Sequence, residues 1–181
     1  MLTALQKRKF TKLFSMYDAC NTGVLKFSDF EQIVKNLAAV RGWKVNSAQY
    51  NAILSQYMHE WARLKDEADQ KGDRQVWLDD WLAYHEALLE KTEKYKQEVE
   101  LLTASILDVF DVNGDGKLSK VEWKEFFKVY NIPVIYSDEV FAKLDENQDG
   151  FLSKSEILKR LQDFYYSNDP EAIGNYMFGP F

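Results

Sequence analysis

Apolar side chains recur along the chain at spacings of three and four residues, in short bursts separated by polar stretches rich in Asp, Asn and Gly. Phe10, Leu13, Phe14 and Tyr17 make one burst, and Phe30, Ile33, Val34 and Leu37 the next. Trp81, Tyr84 and Leu88 follow, then Thr103, Ile106, Leu107 and Phe110, and then Trp123, Phe126, Phe127 and Tyr130. Val140, Phe141 and Leu144, with Ile157, Leu161 and Phe164, complete the series. This spacing puts each set on one face of an α-helix that must bury itself against another. The pattern predicts an all-α chain of helix–loop–helix units.

Two of the intervening stretches carry the chemistry. Asp111–Glu122 reads DVNGDGKLSKVE, and Asp145–Glu156 reads DENQDGFLSKSE. A hard divalent cation such as Ca²⁺ takes six to eight oxygen ligands, and one twelve-residue loop can supply most of them. In the EF-hand arrangement, positions 1, 3 and 5 give side-chain oxygens and position 7 a backbone carbonyl. Position 9 often acts through water, and Glu at position 12 chelates with both oxygens. Asp111, Asn113, Asp115, Lys117, Ser119 and Glu122 fill those places in one loop, and Asp145, Asn147, Asp149, Phe151, Ser153 and Glu156 in the other. Gly116 and Gly150 stand at position 6, where the chain turns through a conformation costly for a residue with a Cβ. Leu118 and Leu152 stand at position 8, where paired loops meet in a short antiparallel strand contact. With three acids per loop, a bound Ca²⁺ leaves each site near −1, which predicts a dissociation constant of roughly 10⁻⁷–10⁻⁵ M.

Two fainter copies precede these. Asp18–Asp29 keeps Asp at position 1, Gly23 at 6 and Leu25 at 8. However, it has Cys20 at position 3, Thr22 at 5, the cation Lys26 at 9 and the shorter Asp29 at 12. It is expected to hold Mg²⁺, weak Ca²⁺ or nothing. Asp69–Asp80 keeps acids at positions 1, 5 and 12 and Val76 at 8, but has Lys71 at 3, Arg74 in place of the turn glycine and Trp77 at 9. Two cations repel a third, so this copy is expected to be metal-free scaffold.

Composition narrows the function classes. The 181 residues, 46% hydrophobic and 15% aromatic, suffice for a real core, and the net charge of −6 argues against nucleic acid. A single cysteine excludes an internal disulfide framework. Lys7, Arg8 and Lys9 come before any long apolar run, Leu2 replaces the glycine that myristoylation needs, and 18 apolar residues never occur together, so no signal peptide, lipid anchor or membrane span is expected. A cytoplasmic monomer is the expectation.

Enzyme signals are thin. His59-Glu60-Trp61-Ala62-Arg63 starts like a zinc-protease motif but has Arg63 where the second histidine must stand. His85 is expected to be packed. Trp43, Trp61, Trp77, Trp81 and Trp123 are expected to pack the core rather than line a ligand cavity. The run 86–100, with Glu90 and Lys94 at i,i+4, reads as a solvated helix linking the halves. In the tail, Asp169 and Pro170 predict a helical turn that Gly174 ends, and Tyr176, Met177, Phe178 and Phe181 are expected to dock in a groove of the protein itself.

Taken together, four such loops with a decayed second site, a long link and an aromatic "GPF" tail resemble the sarcoplasmic calcium-binding proteins, which are themselves similar to calexcitin and the coelenterazine-binding photoproteins. The resemblance implies two EF-hand pairs in one compact globule around a shared aromatic core: an N-terminal pair within residues 1–90, a C-terminal pair within 91–166 and a docked tail at 167–181. It implies a Ca²⁺ buffer or signal modulator without enzymatic activity. Loop one departs from the family, where it is commonly a working site. The photoproteins surround their substrate with His, Trp and Tyr; two histidines do not support carrying that site over. A Ca²⁺-regulated carrier of a hydrophobic small molecule stays open as the alternative.

Overall fold

The computed structural model describes residues 1–69, 72–90 and 92–181, with the side chains of residues 92–95 and 98 outside the description. In chain order the elements are α1 (Ala4–Tyr17), β1 (Val24–Leu25), α2 (Phe27–Arg41), α3 (Ala48–Ala68), β2 (Val76–Trp77) and α4 (Leu78–Glu90). The second half holds α5 (Thr92–Phe110), β3 (Lys117–Leu118), α6 (Lys120–Val129), α7 (Ser137–Leu144), β4 (Leu152–Ser153) and α8 (Lys154–Tyr166), with 3₁₀ turns at Val134–Tyr136 and Ile173–Tyr176. Several helix starts follow directly from the sequence. Thr3, Ser119 and Ser153 cap α1, α6 and α8, each in a reciprocal box with Gln6, Glu122 or Glu156 three residues on. Such caps contribute about 1 kcal/mol each.

The four strands pair as two antiparallel ribbons, with Leu25 opposite Val76 and Leu118 opposite Leu152. Two-residue strands have no stability of their own. They persist because these four aliphatic side chains are all buried. Helix packing brings α1 onto α4 and α2 onto α3 in the first half, and α6 onto α7 and α5 onto α8 in the second. One hydrophobic cluster runs through both halves. Across the seam the hydroxyls of Tyr57 and Tyr130 are hydrogen-bonded to each other, and α2 lies against both α5 and α6.

Some expectations need correction. Trp77 is exposed because it alternates with buried Val76 on β2, while Trp61, Trp81 and Trp123 are buried. The run 86–100 is not wholly solvated: Val99 packs against the core, and Glu100 accepts a hydrogen bond of 2.7 Å from Gln162. Lys91 and the side chain of Lys94, and with it the Glu90–Lys94 pairing, lie outside the description. In the tail, Met177 and Phe178 are 1% and 4% exposed, whereas Tyr176 is 37% exposed. Phe181 is half-buried beneath the Arg8 guanidinium, 5.0 Å from its ring centre. Gly174 does not end a turn; it lies within the 3₁₀ segment. A Cβ there would stand 2.3 Å from the Arg160 carbonyl oxygen, so the glycine is needed for the tail's close approach to α8. Among the described residues no helix is long and apolar enough to cross a membrane.

Candidate metal centres

Each candidate loop is shaped by its first aspartate. Asp111 follows α5 and turns both carboxylate oxygens onto the loop's own amides: Oδ1 accepts from Gly114 (2.8 Å) and Asp115 (3.1 Å), and Oδ2 from Gly116 (2.8 Å). Asp145 does the same after α7, with Oδ1 accepting from Asp149 (3.1 Å) and Oδ2 from Gly150 (3.0 Å). Asn113 and Asn147 each accept from the amide of position 5, at 3.0 and 2.9 Å. Asp115 and Asp149 in turn each accept from the amide of position 7 at 2.9 Å.

The backbone explains the curl. Gly116 and Gly150 have φ of +80° and +82°, as position 6 requires, and no atom lies within 4 Å of where a Cβ would be. The constraint there is conformational, not steric. Position 4 is also left-handed in every loop, at Asn21, Gly72, Gly114 and Gln148. Asn21, Gly72 and Gly114 tolerate that conformation best and mark it in the sequence, whereas Gln148 gives no such signal.

At position 12, Glu122 accepts from the Ser119 amide (2.8 Å) and hydroxyl (2.7 Å) through Oε2, and from the Val112 amide (3.0 Å) through Oε1. Glu156 caps its helix in the same way, at 2.9 and 2.7 Å from the Ser153 amide and hydroxyl. Among the described residues no three Asp, Glu, His or Cys side chains converge as a ready cage. The predicted ligands are thus brought into two curled loops, with their carboxylates facing their own backbones. The donor chemistry fits a hard cation: each loop offers three carboxylates, one amide oxygen, one hydroxyl and a position-7 carbonyl. The loops are joined by a Lys117–Asp149 ion pair of 2.9 Å.

Loop one keeps the same curl. Asp18 accepts from Thr22 (2.8 Å) and Gly23 (2.7 Å), and Asp29 accepts from the Lys26 amide (2.7 Å). Burial raises the Asp29 pKa, and Cys20 is exposed. What loop one lacks is donors, not shape. Loop two also holds its turn: Asp69 accepts from Gly72 (2.7 Å) and Arg74 (2.8 Å). Arg74 adopts φ +60° in place of the missing glycine, a conformation that costs a non-glycine residue about 1–2 kcal/mol. Lys71 lies outside the described residues.

Of the two histidines, His59 is exposed and His85 is packed. His85 is buried and stacks on Phe10 with ring centres 4.6 Å apart. Burial, assisted by the Arg63 charge, lowers its pKa to about 3 and keeps the ring neutral. Glu60 and Arg63 form an ion pair of 2.6 Å one helical turn apart. Between the halves lies a cavity of about 110 Å³, walled by Leu13, Phe30, Trp81, Trp123, Leu161 and Phe178 among others. The buried indole N–H of Trp123 has no hydrogen-bond partner among the described residues.

Comparison with known proteins places the chain. The EF hand family model matches residues 104–128 and 138–161, the two units that carry the complete loops. Calerythrin of Saccharopolyspora erythraea is 23% identical over 177 residues, covering 96% of this chain and 100% of the relative. The luciferin-binding protein of Renilla reniformis is 22% identical over 180 residues, covering 97% and 94%. The solved structure of the amphioxus sarcoplasmic calcium-binding protein superposes with a TM-score of 0.76 at 20% identity, covering 100% of both chains. The two units that carry the complete loops thus match the EF hand model, and over nearly its whole length the chain is similar to calerythrin and, in fold, to the sarcoplasmic calcium-binding protein.

Proposed function

We propose that this protein is a non-enzymatic, cytoplasmic, monomeric Ca²⁺ buffer or signal modulator with two working sites, Asp111–Glu122 and Asp145–Glu156. The observation that carries this reading is that two loops with the same donors at positions 1, 3, 5, 9 and 12 are clamped together by the β3–β4 ribbon. A bound Ca²⁺ would supply the charge that draws the loop carboxylates inward. Asp111, Asn113, Asp115 and Glu122 would hold it in one loop, with the Lys117 carbonyl and Ser119; Asp145, Asn147, Asp149 and Glu156 would hold it in the other, with the Phe151 carbonyl and Ser153. Glu122 and Glu156 would have to turn from their serine caps to chelate, which links cation binding to the first turns of α6 and α8. Calorimetric titration of metal-stripped protein tests the assignment. Wild type should take up two Ca²⁺, and Glu122→Gln and Glu156→Gln one fewer each. Unchanged stoichiometry in both variants would sink it.

One observation favours the second reading, a carrier of a hydrophobic small molecule: an apolar cavity between the halves, lined in part by Trp81 and Trp123. Drug-sized ligands occupy roughly 300–1,000 Å³, so a space of about 110 Å³ suits the carrier only if the core gives way. Met177 and Phe178 line the same space. A carrier should therefore gain affinity for an apolar dye when the tail is removed, while a buffer loses melting temperature with no such saturable binding.

A further inference from the structure

The two complete loops present the same residue at every side-chain position that contributes to a cation site. Asp111 matches Asp145, Asn113 matches Asn147, Asp115 matches Asp149, Ser119 matches Ser153 and Glu122 matches Glu156. An affinity difference between them must come from residues that are not donors. Position 7 gives only its carbonyl to the ion, so its side chain is free to act elsewhere, and here the loops differ: Lys117 against Phe151.

The β3–β4 register sets Lys117 opposite Ser153, which aims its stem across to loop four. The ammonium passes 5.5 Å from the Phe151 ring centre and reaches Asp149 Oδ2 at 2.9 Å. Asp149 Oδ1 already accepts from the Phe151 amide at 2.9 Å. Oδ2 is therefore the oxygen of Asp149 not engaged by the loop backbone, and Lys117 holds it. The reciprocal contact is missing. Phe151 carries no charge to place on Asp115, whose Oδ2 accepts instead from the neutral Asn113 amide at 2.9 Å. Asp115 and Glu156 are the next acidic charges felt by the Lys117 ammonium.

We propose that Lys117 is an affinity-setting residue that acts in trans: from loop three, its side chain competes with Ca²⁺ for Asp149 and makes loop four the weaker of two otherwise matched sites. The inference rests on the reading of both loops as Ca²⁺ sites. A cation entering loop four must displace a tethered positive charge from one of its three carboxylates; a cation entering loop three meets the same ammonium only as a more distant charge near Asp115, with no ion pair to break.

Single-site backgrounds test this by calorimetry. Glu122→Gln isolates loop four and Glu156→Gln isolates loop three. Since exposed ion pairs contribute only up to about 1 kcal/mol, Lys117→Gln should raise Ca²⁺ affinity two- to five-fold in the loop-four background. The gain should shrink in 0.5 M KCl as the pair is screened. Lys117→Arg should keep affinity at the level of the unsubstituted background, since it retains the charge. In the loop-three background Lys117→Gln should change affinity less than two-fold. Equal gains in both backgrounds, a gain confined to loop three, or no gain at loop four would overturn the role of Lys117 while leaving both sites assigned. A Glu122→Gln protein that takes up no Ca²⁺ would overturn the loop-four site and this inference together.

Discussion

Arg41, the last residue of α2, donates from Nη1 to the backbone carbonyl of Asp111 at 2.7 Å. The first half of the chain thereby holds the residue that opens loop three, seventy positions on in sequence. The Arg41 guanidinium also lies 5.8 Å from the Trp43 ring centre, so its position is set on two sides. Arg41→Ala should destabilise the protein by about 1.5–3 kcal/mol, the usual contribution of a hydrogen bond from a charged donor. Urea unfolding at fixed Ca²⁺ reads this. A midpoint equal to wild type would show that the bond holds nothing in place.

A second cross-chain bond concerns Lys9, which is fully buried. Its ammonium donates to the carbonyls of Asp163 (3.3 Å) and Ser167 (2.7 Å) and to Asn175 Oδ1 (3.2 Å). Burial pushes its pKa down to about 8, with the nearby Asp163 charge opposing. A depressed lysine pKa means that the unfolded chain binds more protons between about pH 8 and the ordinary lysine value of about 10.4. The sign follows: the charged amine opposes folding below pH 8, and that opposition is relieved as pH rises through this window. Wild-type stability should therefore gain on Lys9→Met as pH rises from 8 to 10. Parallel slopes in denaturant melts across that range would refute it.

The tail separates buried from exposed anchors. Phe178 packs edge-on against Phe164 with ring centres 4.8 Å apart, so Phe178→Ala should cost about 3–5 kcal/mol. Tyr176 is mostly held by the Lys143 ammonium, 4.0 Å from its ring centre, and Tyr176→Ala should cost at most about 1 kcal/mol. Gly174→Ala should rival the Phe178 variant, because its methyl meets the Arg160 carbonyl. Three variants with equal melting temperatures would mean that the tail is not docked.

Much of this was legible in the chain. Period-3.6 apolar sets, two complete loops and position-8 aliphatics specify the helices, the ribbons and the candidate ligands, since each rests on local spacing. What was not legible depends on distant packing. Nothing near Arg41 points to Asp111, and nothing near Lys117 points to Asp149, because a helix end and a strand register decide both contacts. Gly174 misled for a related reason: in sequence a glycine after a helical turn looks like a stop, and only the approach of α8 shows that it makes room. Arg74 showed that a lost turn glycine need not mean a lost turn when the surrounding helices and ribbon hold it.

Loop one gives a gain-of-function test. Asp18 already gathers the Thr22 and Gly23 amides, so the cradle exists and the donors are deficient. Lys26→Ser with Asp29→Glu removes the cation at position 9 and restores the long chelating arm at position 12. The double variant should take up one more Ca²⁺ than wild type in calorimetric titration. Wild-type protein that already binds a third Ca²⁺ at micromolar concentration would contradict the weakness expected of this loop.

The last prediction concerns what Ca²⁺ does to the globule. Opening sensors expose a flexible, Met-rich groove, whereas buffers barely move. This chain has four Met against twelve Phe, ten Tyr and five Trp. Met177 and Phe178 are already buried in the core cluster, and Lys9 and Arg8 hold the tail from the opposite terminus, through Asn175 and through the Phe181 carbonyl at 2.7 Å. A target helix would have to break those bonds and expel two buried side chains before docking. Ca²⁺ should therefore order the loops and tighten the C-terminal half. Hydrogen exchange should show protection rising across residues 101–164 and in the tail, with no increase in binding of a hydrophobic dye. Deprotection of residues 170–181 with added dye binding would instead make this an opening sensor, because the docked tail is the feature that an opening motion must undo first.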